Sequence, residues 1–316
     1  MGETDPGTIV VVGPGALGCL LAAALDREAP GKTCLLDHDA RRAALLRAGG
    51  IGLETAGRPE RRAVPVFTDP GLIGSARLIL LCVKTRDLAG LLPTLAPLAG
   101  GSTLLLAFQN GMDHITPLRR SGLPGAWGLA VTTAGAHLVG TGQVRLAGAG
   151  RFLLGFPEAT GTGGGSTLDL LANLLNRAGL PAVVVPDIMT HVWNKLLINA
   201  GINALTALYQ CSNGELLKTK ETSALLAAAV EEGALVARAR GIAIVADPVA
   251  MTRDVCRTTA ANLSSMLQDV RQRKKTEIEA INGAIVREAE SLGLAAPVNQ
   301  QLLQAVQALE DGYSRC

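Results

Sequence analysis

Ile9-Val10-Val11-Val12-Gly13-Pro14-Gly15-Ala16-Leu17-Gly18 decides how the first half of the chain folds. The aliphatic run Ile9 to Val12 reads as a buried parallel strand. Its glycines follow the spacing GxGxxG, and Leu20 to Asp26 read as the helix that follows. A strand before the glycines and a helix after them give this spacing its meaning. Gly13 permits a tight turn, Gly15 lets a pyrophosphate approach the backbone, and Gly18 lets helix and strand pack closely. Ala16 and Leu17 complete the turn, and the helix N-terminus is expected to face the phosphates. Pro14 has no N–H and withholds one donor. A plain glycine turn in an ordinary α/β fold is the competing reading; the flanking pattern favours dinucleotide binding.

Outward from this turn the same pattern repeats. Strands are expected at 33–37, 77–83 and 102–107, with helices at 39–48 and near 86–98. Further short strands are expected at 127–133, 143–147, 152–155 and 182–185, and Gly161 to Gly165 read as a mobile loop. Alternation of strand and helix implies right-handed crossovers and a doubly wound sheet. After Pro186 the texture changes to long apolar periodicity near the helical repeat. The expectation is an α/β Rossmann-type domain over 1–186 and a mainly α-helical substrate and catalytic domain over 187–316.

Composition narrows the function classes. Of 316 residues, 48% are hydrophobic and only 3% aromatic, so the cores are aliphatic. A net charge of +2, from 29 basic and 27 acidic residues, gives no electrostatic reason to expect nucleic acid or an anionic membrane. The basic cluster Arg271, Arg273, Lys274 and Lys275 reads as a solvated face or a pull on one small anion. Six cysteines at 19, 34, 82, 211, 256 and 316 form no CxxC pair, so no metal site is expected. Cys19, Cys34 and Cys82 read as small buried hydrophobes, and scattered thiols suit a reducing, cytoplasmic compartment. Glu3 and Asp5 precede the first apolar run, which does not suit a signal peptide, and no long uncharged apolar run suggests a spanning helix.

Several polar residues exceed what the fold requires. Asp37 lies 19 residues after Gly18, where an acid can accept the adenosine ribose 2′-OH and repel a 2′-phosphate. That favours NAD(H), although Arg41 and Arg42 could reach a 2′-phosphate, and Asp37 could instead cap a helix. Lys84 and Asn110 sit at carboxyl ends of expected strands, where open α/β sheets bind ligands. A solvated loop lysine and a plain Asn-Gly turn are the simpler accounts. Lys195, Asn199 and Asn203 are spaced by four and share one face of an apolar helix. Two asparagines amid such residues favour a site over a solvated stripe. Asn262, Ser265 and Asp269 share a face on a second expected helix. On one unbroken helix Ser265 and Glu277 would stand about 120° apart, so a shared site needs a bend, for which the run 271–275 is the place.

These pieces together resemble the ketopantoate reductase (2-dehydropantoate 2-reductase) family over nearly the whole chain. The resemblance is carried by Gly13 to Gly18, Cys82-Val83-Lys84, Gln109-Asn110-Gly111-Met112 and Lys195 through Asn203. Asn262-Leu263-Ser264-Ser265-Met266-Leu267-Gln268-Asp269, Thr276-Glu277-Ile278 and Ile281-Asn282-Gly283 complete it. It implies reduction of 2-dehydropantoate to (R)-pantoate in a cleft, with Lys195 as general acid and Lys84 and Asn110 facing the cofactor. Asn199, Asn203, Asn262 and Ser265 would hold the substrate, and Glu277 would contact its hydroxyl or steady the lysine. The resemblance implies NADP(H), whereas Asp37 suggests NAD(H).

The physical chemistry agrees with those roles. Hydride reaching a ketone carbon leaves charge on oxygen, which a nearby ammonium stabilises and then protonates. Burial can bring a lysine's pKa toward the working pH. Two alternatives stand: a reductase of the same fold acting on another small oxo acid, and a non-catalytic dinucleotide sensor. Apolar stretches such as 224–236 could pair in a homodimer or belong to the intramolecular core.

Overall fold

The computed structural model describes residues 5–55, 58–148, 150–158 and 164–315. The chain forms two compact units. The first runs up to Gln109 and resumes over His114–Ile188; the second takes Asn110–Asp113 and everything from Met189. A single cut of the sequence near residue 187 has no means of expressing that four-residue excursion.

In the first unit the order is β1 (Ile9–Val12), α1 (Ala16–Glu28), β2 (Thr33–Leu36), α2 (Ala40–Gly49), β3 (Ile51–Thr55), β4 (Arg58–Arg62) and β5 (Val66–Phe67). Then come β6 (Leu78–Leu81), α3 (Thr85–Leu91), β7 (Leu104–Ala107), α4 (Ile115–Arg120), β8 (Ala126–Thr132), β9 (Gly135–Gly140), β10 (Gln143–Gly148), β11 (Phe152–Gly155), α5 (Gly165–Arg177) and β12 (Ala182–Val184). Eight strands form one sheet in the order β12-β11-β8-β7-β6-β1-β2-β5. From β5 to β8 all neighbours are parallel, and β11 returns antiparallel to β8. The sequence order reverses between β1 and β6, which makes their carboxyl ends the switch point of a Rossmann-type sheet. All four residues of each of β1, β6 and β7 are buried, as strands covered on both faces require.

A second sheet, β4-β3-β10-β9, was not expected. It packs on α1, which therefore has sheet on both sides and is buried continuously from Gly18 to Asp26. Of its strands only β10 matches an expected one, at 143–147, and the others hid in the sequence for physical reasons. β4 is Arg58-Pro59-Glu60-Arg61-Arg62, a charged strand with a proline, and such residues are tolerated because β4 is an edge. The helix expected near 86–98 is cut short at Leu91, and Leu92–Leu95 form a tighter 3-10 turn around Pro93. Helix α5 was missed altogether, although Leu168, Leu171, Leu174 and Leu175 are its buried stripe. Of the glycine-rich stretch read as a mobile loop, residues 161–163 lie outside the described residues, as does Cys316, and Gly164 and Gly165 open α5.

The second unit is helical: α6 (Ile188–Tyr209), α7 (Lys220–Ala239), α8 (Pro248–Thr258), α9 (Ser265–Arg271), a π turn (Glu279–Gly283), α10 (Ala284–Ser291) and α11 (Pro297–Asp311). No described helix is long and apolar enough to cross a membrane.

Candidate active site

The glycine turn stands at the carboxyl end of β1. Gly13 has a φ of +99°, and a Cβ there would press on Val83 Cγ1 at 2.9 Å. A Cβ at Gly18 would run into the Gly13 carbonyl oxygen, so helix and turn touch backbone to backbone. Gly15 is the opposite case: it is exposed, and a Cβ would meet only the Cys82 carbonyl oxygen, at 4.0 Å. α1 begins there with no capping side chain and no acidic residue in its first turn. An open glycine before an uncapped helix N-terminus fits a dinucleotide pyrophosphate, which would satisfy the leading amides of Ala16 and Leu17. Pro14 contributes its carbonyl, which accepts from Cys19 Sγ at 3.4 Å. Cys19 and Cys34 are buried, and burial pushes both thiols up to about 12, while Cys82 is only half-buried.

Lys84 is half-buried at the residue preceding α3, just past β6. Gln109, to which the sequence assigned no role, is buried beyond β7. Its amide donates to the carbonyls of Leu81 and Val83, each at 3.0 Å. That bond holds the Val83 segment against Gly13.

Asp37 is placed differently from the expectation. Its side chain is 0% exposed. Arg42 grips it side-on, with Nε at 2.7 Å from Oδ2 and Nη2 at 2.5 Å from Oδ1, and the Asp39 amide donates to Oδ1 at 3.0 Å. An Asp37 carboxylate engaged in this way offers no exposed acceptor to a ribose hydroxyl. Nor is Asp37 the helix cap, since Asp39 caps α2 by accepting from the Arg42 amide. At this turn the Arg42 side chain is 37% and that of His38 90% exposed, and Arg41 is exposed beside them.

The second unit gathers the remaining candidates on three pieces of chain. Lys195 lies on α6, half-buried, followed by the fully buried Leu196 and Leu197. Burial lowers its pKa from the ordinary 10.5 to about 8, against the pull of the Glu277 carboxylate, which raises it. One and two turns on, Asn199 is half-buried and Asn203 buried on the same face. Glu277 stands just before the π turn, and its Oε2 accepts from Asn110 Nδ2 at 3.1 Å. Asn110 reaches it because the next residues are seated on the π turn. Gly111, at φ +77°, lies so close to the Ala280 carbonyl that no Cβ would fit, and the Met112 amide donates to that carbonyl at 3.2 Å.

The expected helix carrying Asn262, Ser265 and Asp269 on one face is corrected by the structure. α9 starts only at Ser265, so Asn262 lies outside it, exposed, in the preceding turn. The cause is Ser264, whose hydroxyl accepts from the Leu267 amide at 3.0 Å and starts the helix there. Ser264 is buried and bonded to Thr206 Oγ1 at 2.7 Å, which fixes the start of α9 beside the Asn203 turn of α6. Ser265 is exposed at the first position of α9. The Asn262 carbonyl accepts from the amide of Asn213, a buried residue no sequence argument singled out. The capping box of Ser212 and Glu215 around Asn213 was the available signal. Between Ser265 and Glu277 the chain does bend: α9 ends at Arg271, and Arg273 takes a φ of +51°.

A lysine whose pKa burial brings to about 8, a carboxylate that raises it and an amide bonded to that carboxylate are groups that can exchange a proton at this place. The family profile "Ketopantoate reductase PanE/ApbA" matches residues 9–158, and "Ketopantoate reductase PanE/ApbA C terminal" matches 187–310. The 2-dehydropantoate 2-reductase of Vibrio cholerae is 34% identical over 97% of this chain and 99% of its own. That of Halobacterium salinarum is 33% identical over 96% and 99%. Among solved structures, a PanE/ApbA family ketopantoate reductase from Ralstonia eutropha superposes with a TM-score of 0.87 at 30% identity, covering 98% of this chain and 99% of that one. A D-mandelate dehydrogenase with NADH and anilino(oxo)acetate gives 0.89 at 27% identity, over 97% and 99%. With both halves matched and full-length relatives above 30% identity, the chain belongs to the ketopantoate reductase PanE/ApbA family.

Proposed function

We propose that this oxidoreductase reduces 2-dehydropantoate to (R)-pantoate, the reaction named for its curated relatives and a step of pantothenate biosynthesis. The observation that carries the reading is Lys195, a partly buried amine with its pKa brought to about 8 beside Glu277. The first unit holds the dinucleotide at Gly13 to Gly18, with Lys84 near its reacting end. A reduced nicotinamide, when bound, supplies hydride to the ketone carbon. Lys195 stabilises the charge growing on the ketone oxygen and then hands it a proton from Nζ. Glu277 keeps the lysine protonated at working pH and orients Asn110. Asn199, Asn203 and Ser265 hold the substrate's carboxylate and hydroxyl by neutral hydrogen bonds, which add no charge to compete with the ammonium. Asn262 joins them from its turn outside α9.

For the cofactor we propose NADP(H). The carboxylate that would have selected NAD(H) is engaged by Arg42, and the exposed groups at that turn are Arg42, Arg41 and His38. A bidentate carboxylate fixes the guanidinium without covering it, which suits a 2′-phosphate. A cytoplasmic location follows from the reaction and from the unpaired thiols.

The test is purified protein mixed with 2-dehydropantoate and either NADPH or NADH, followed by loss of nicotinamide absorbance and by chiral analysis of the product. Absence of turnover with either cofactor ends the reading. A second reading, reduction of a bulkier 2-oxo acid, draws on the likeness to D-mandelate dehydrogenase. Benzoylformate in the same assay separates the two.

A further inference from the structure

Asn110, Glu277 and Lys195 come from three pieces of the second unit, and the first two are joined directly. What fixes the π turn after Glu277 against α6, which carries Lys195, is a buried amide. Asn282, in the π turn, is 0% exposed. Its Nδ2 donates to the Ala200 carbonyl of α6 at 3.3 Å and to Asn299 Oδ1 at 3.0 Å. Asn299, also 0% exposed, donates to the Ala229 carbonyl of α7 at 3.0 Å and to Glu232 at 2.9 Å. Glu232 in turn accepts from the amides of Val298 and Asn299 at the start of α11. One chain of polar groups thus joins the π turn to three helices.

Such a chain is an expensive way to fill a core. Burying an amide is unfavourable unless its bonds are made, and Asn282 Oδ1 has no partner among the described residues. An unsatisfied buried acceptor is destabilising, and an aliphatic side chain would fill the same space without that penalty. What an aliphatic residue cannot do is set direction. Asn282 bonds α6 at Ala200, next to Asn199 and little more than a turn beyond Lys195. On its other side the same π turn receives Gly111 and Met112 and so determines where Asn110 meets Glu277. π turns concentrate at functional sites.

We propose that Asn282 is a positioning residue of the reductase site, its amide locking the π turn that follows Glu277 and seats the Asn110 segment onto the Lys195 helix. It touches neither substrate nor cofactor; it acts through the Glu277–Lys195 separation. The proposal rests on the reading of Lys195 as proton donor, and the experiment keeps the two apart. Wild type, Lys195→Met, Asn282→Ala and Asn299→Ala are compared for kcat, KM and the pH dependence of kcat, with thermal unfolding of each.

In Asn282→Ala, kcat falls about ten- to hundred-fold, the scale of a small misplacement, while KM for the oxo acid changes far less. The alkaline limb of kcat moves to lower pH, because a displaced Glu277 no longer raises the lysine. Asn299→Ala loses stability but leaves Asn282 bonded to Ala200, so its limb stays in place. Should Asn282→Ala give no folded protein, Asn282→Ser keeps one donor near Ala200 and shows the same change on a smaller scale. An unmoved limb in the folded Asn282 variant, or equal movement in the Asn299 variant, overturns the proposal. Turnover surviving in Lys195→Met overturns the proton-donor reading instead.

Discussion

Replacing Lys195 by Met should abolish reduction and, at neutral pH, stabilise the protein. Both effects come from one number. The lysine's pKa falls from 10.5 to about 8 on folding, with burial lowering it and Glu277 opposing. At about 1.4 kcal/mol per pH unit, keeping that amine charged in the folded protein costs about 3 kcal/mol. The attraction of Glu277 is already inside this figure. The sign follows from proton counting. Between about 8 and 10.5 the unfolded chain holds the proton and the folded protein has released it, so wild-type stability rises with pH across that window. Below it both states are protonated and the full cost remains. Methionine has no such cost. In urea titrations Lys195→Met should therefore exceed wild type by up to about 3 kcal/mol at pH 7, and the gap should close as the pH approaches 10.5. In the same wild-type enzyme, kcat for reduction should decline above about pH 8, where the proton is lost, and the reverse oxidation should rise. A variant no more stable than wild type at pH 7, or a flat wild-type kcat from pH 7 to 10, refutes the reasoning.

Three further outcomes follow from other parts of the molecule. Gly18→Ala drives a Cβ into the Gly13 carbonyl; calorimetric titration should show dinucleotide binding lost, and unfolding should show a loss of several kcal/mol. Arg42→Ala should weaken NADPH by about ten-fold or more, the worth of a charge-assisted bond, and leave the NADH Kd within about two-fold; equal weakening of both would remove Arg42 from cofactor selection. Ser264→Ala removes the α9 cap and the partner of Thr206, so stability should fall by about 1–2 kcal/mol, measured by urea unfolding.

How much of this was legible in the sequence differs between the two units. The first unit is written in period and punctuation: apolar runs for β1, β6 and β7, and glycines where backbone meets backbone at Gly13 and Gly18. The edge strand β4 was illegible because an edge needs no apolar face, and it carries charges and a proline for that reason. Asp37 was found by spacing, but spacing does not reveal that a guanidinium five residues on takes both its oxygens. In the second unit the four-residue spacing of Lys195, Asn199 and Asn203 survived into the structure, because it lies within one long helix. The spacing of Asn262 from Ser265 did not, because Ser264 starts the helix between them. Adjacent serines leave the cap ambiguous until the Thr206 contact selects one.

Several features that local rules disfavour lie where Asn110, Glu277 and Lys195 are gathered. A lysine is kept charged at a cost of about 3 kcal/mol, an asparagine is buried with one oxygen unpartnered, a glycine rests on a carbonyl, and a helix carries a π turn in place of an α turn. Each is unfavourable by itself, and all four lie on the pieces of chain that carry or seat those three residues. Rigid seating of this kind suits a lysine held at a set distance from a carboxylate, because the lysine's charge state responds to that distance. Lys195→Met should accordingly raise stability at neutral pH while lowering turnover. Substitutions of comparable size in the β1–β6–β7 core should lower stability first and turnover only with it.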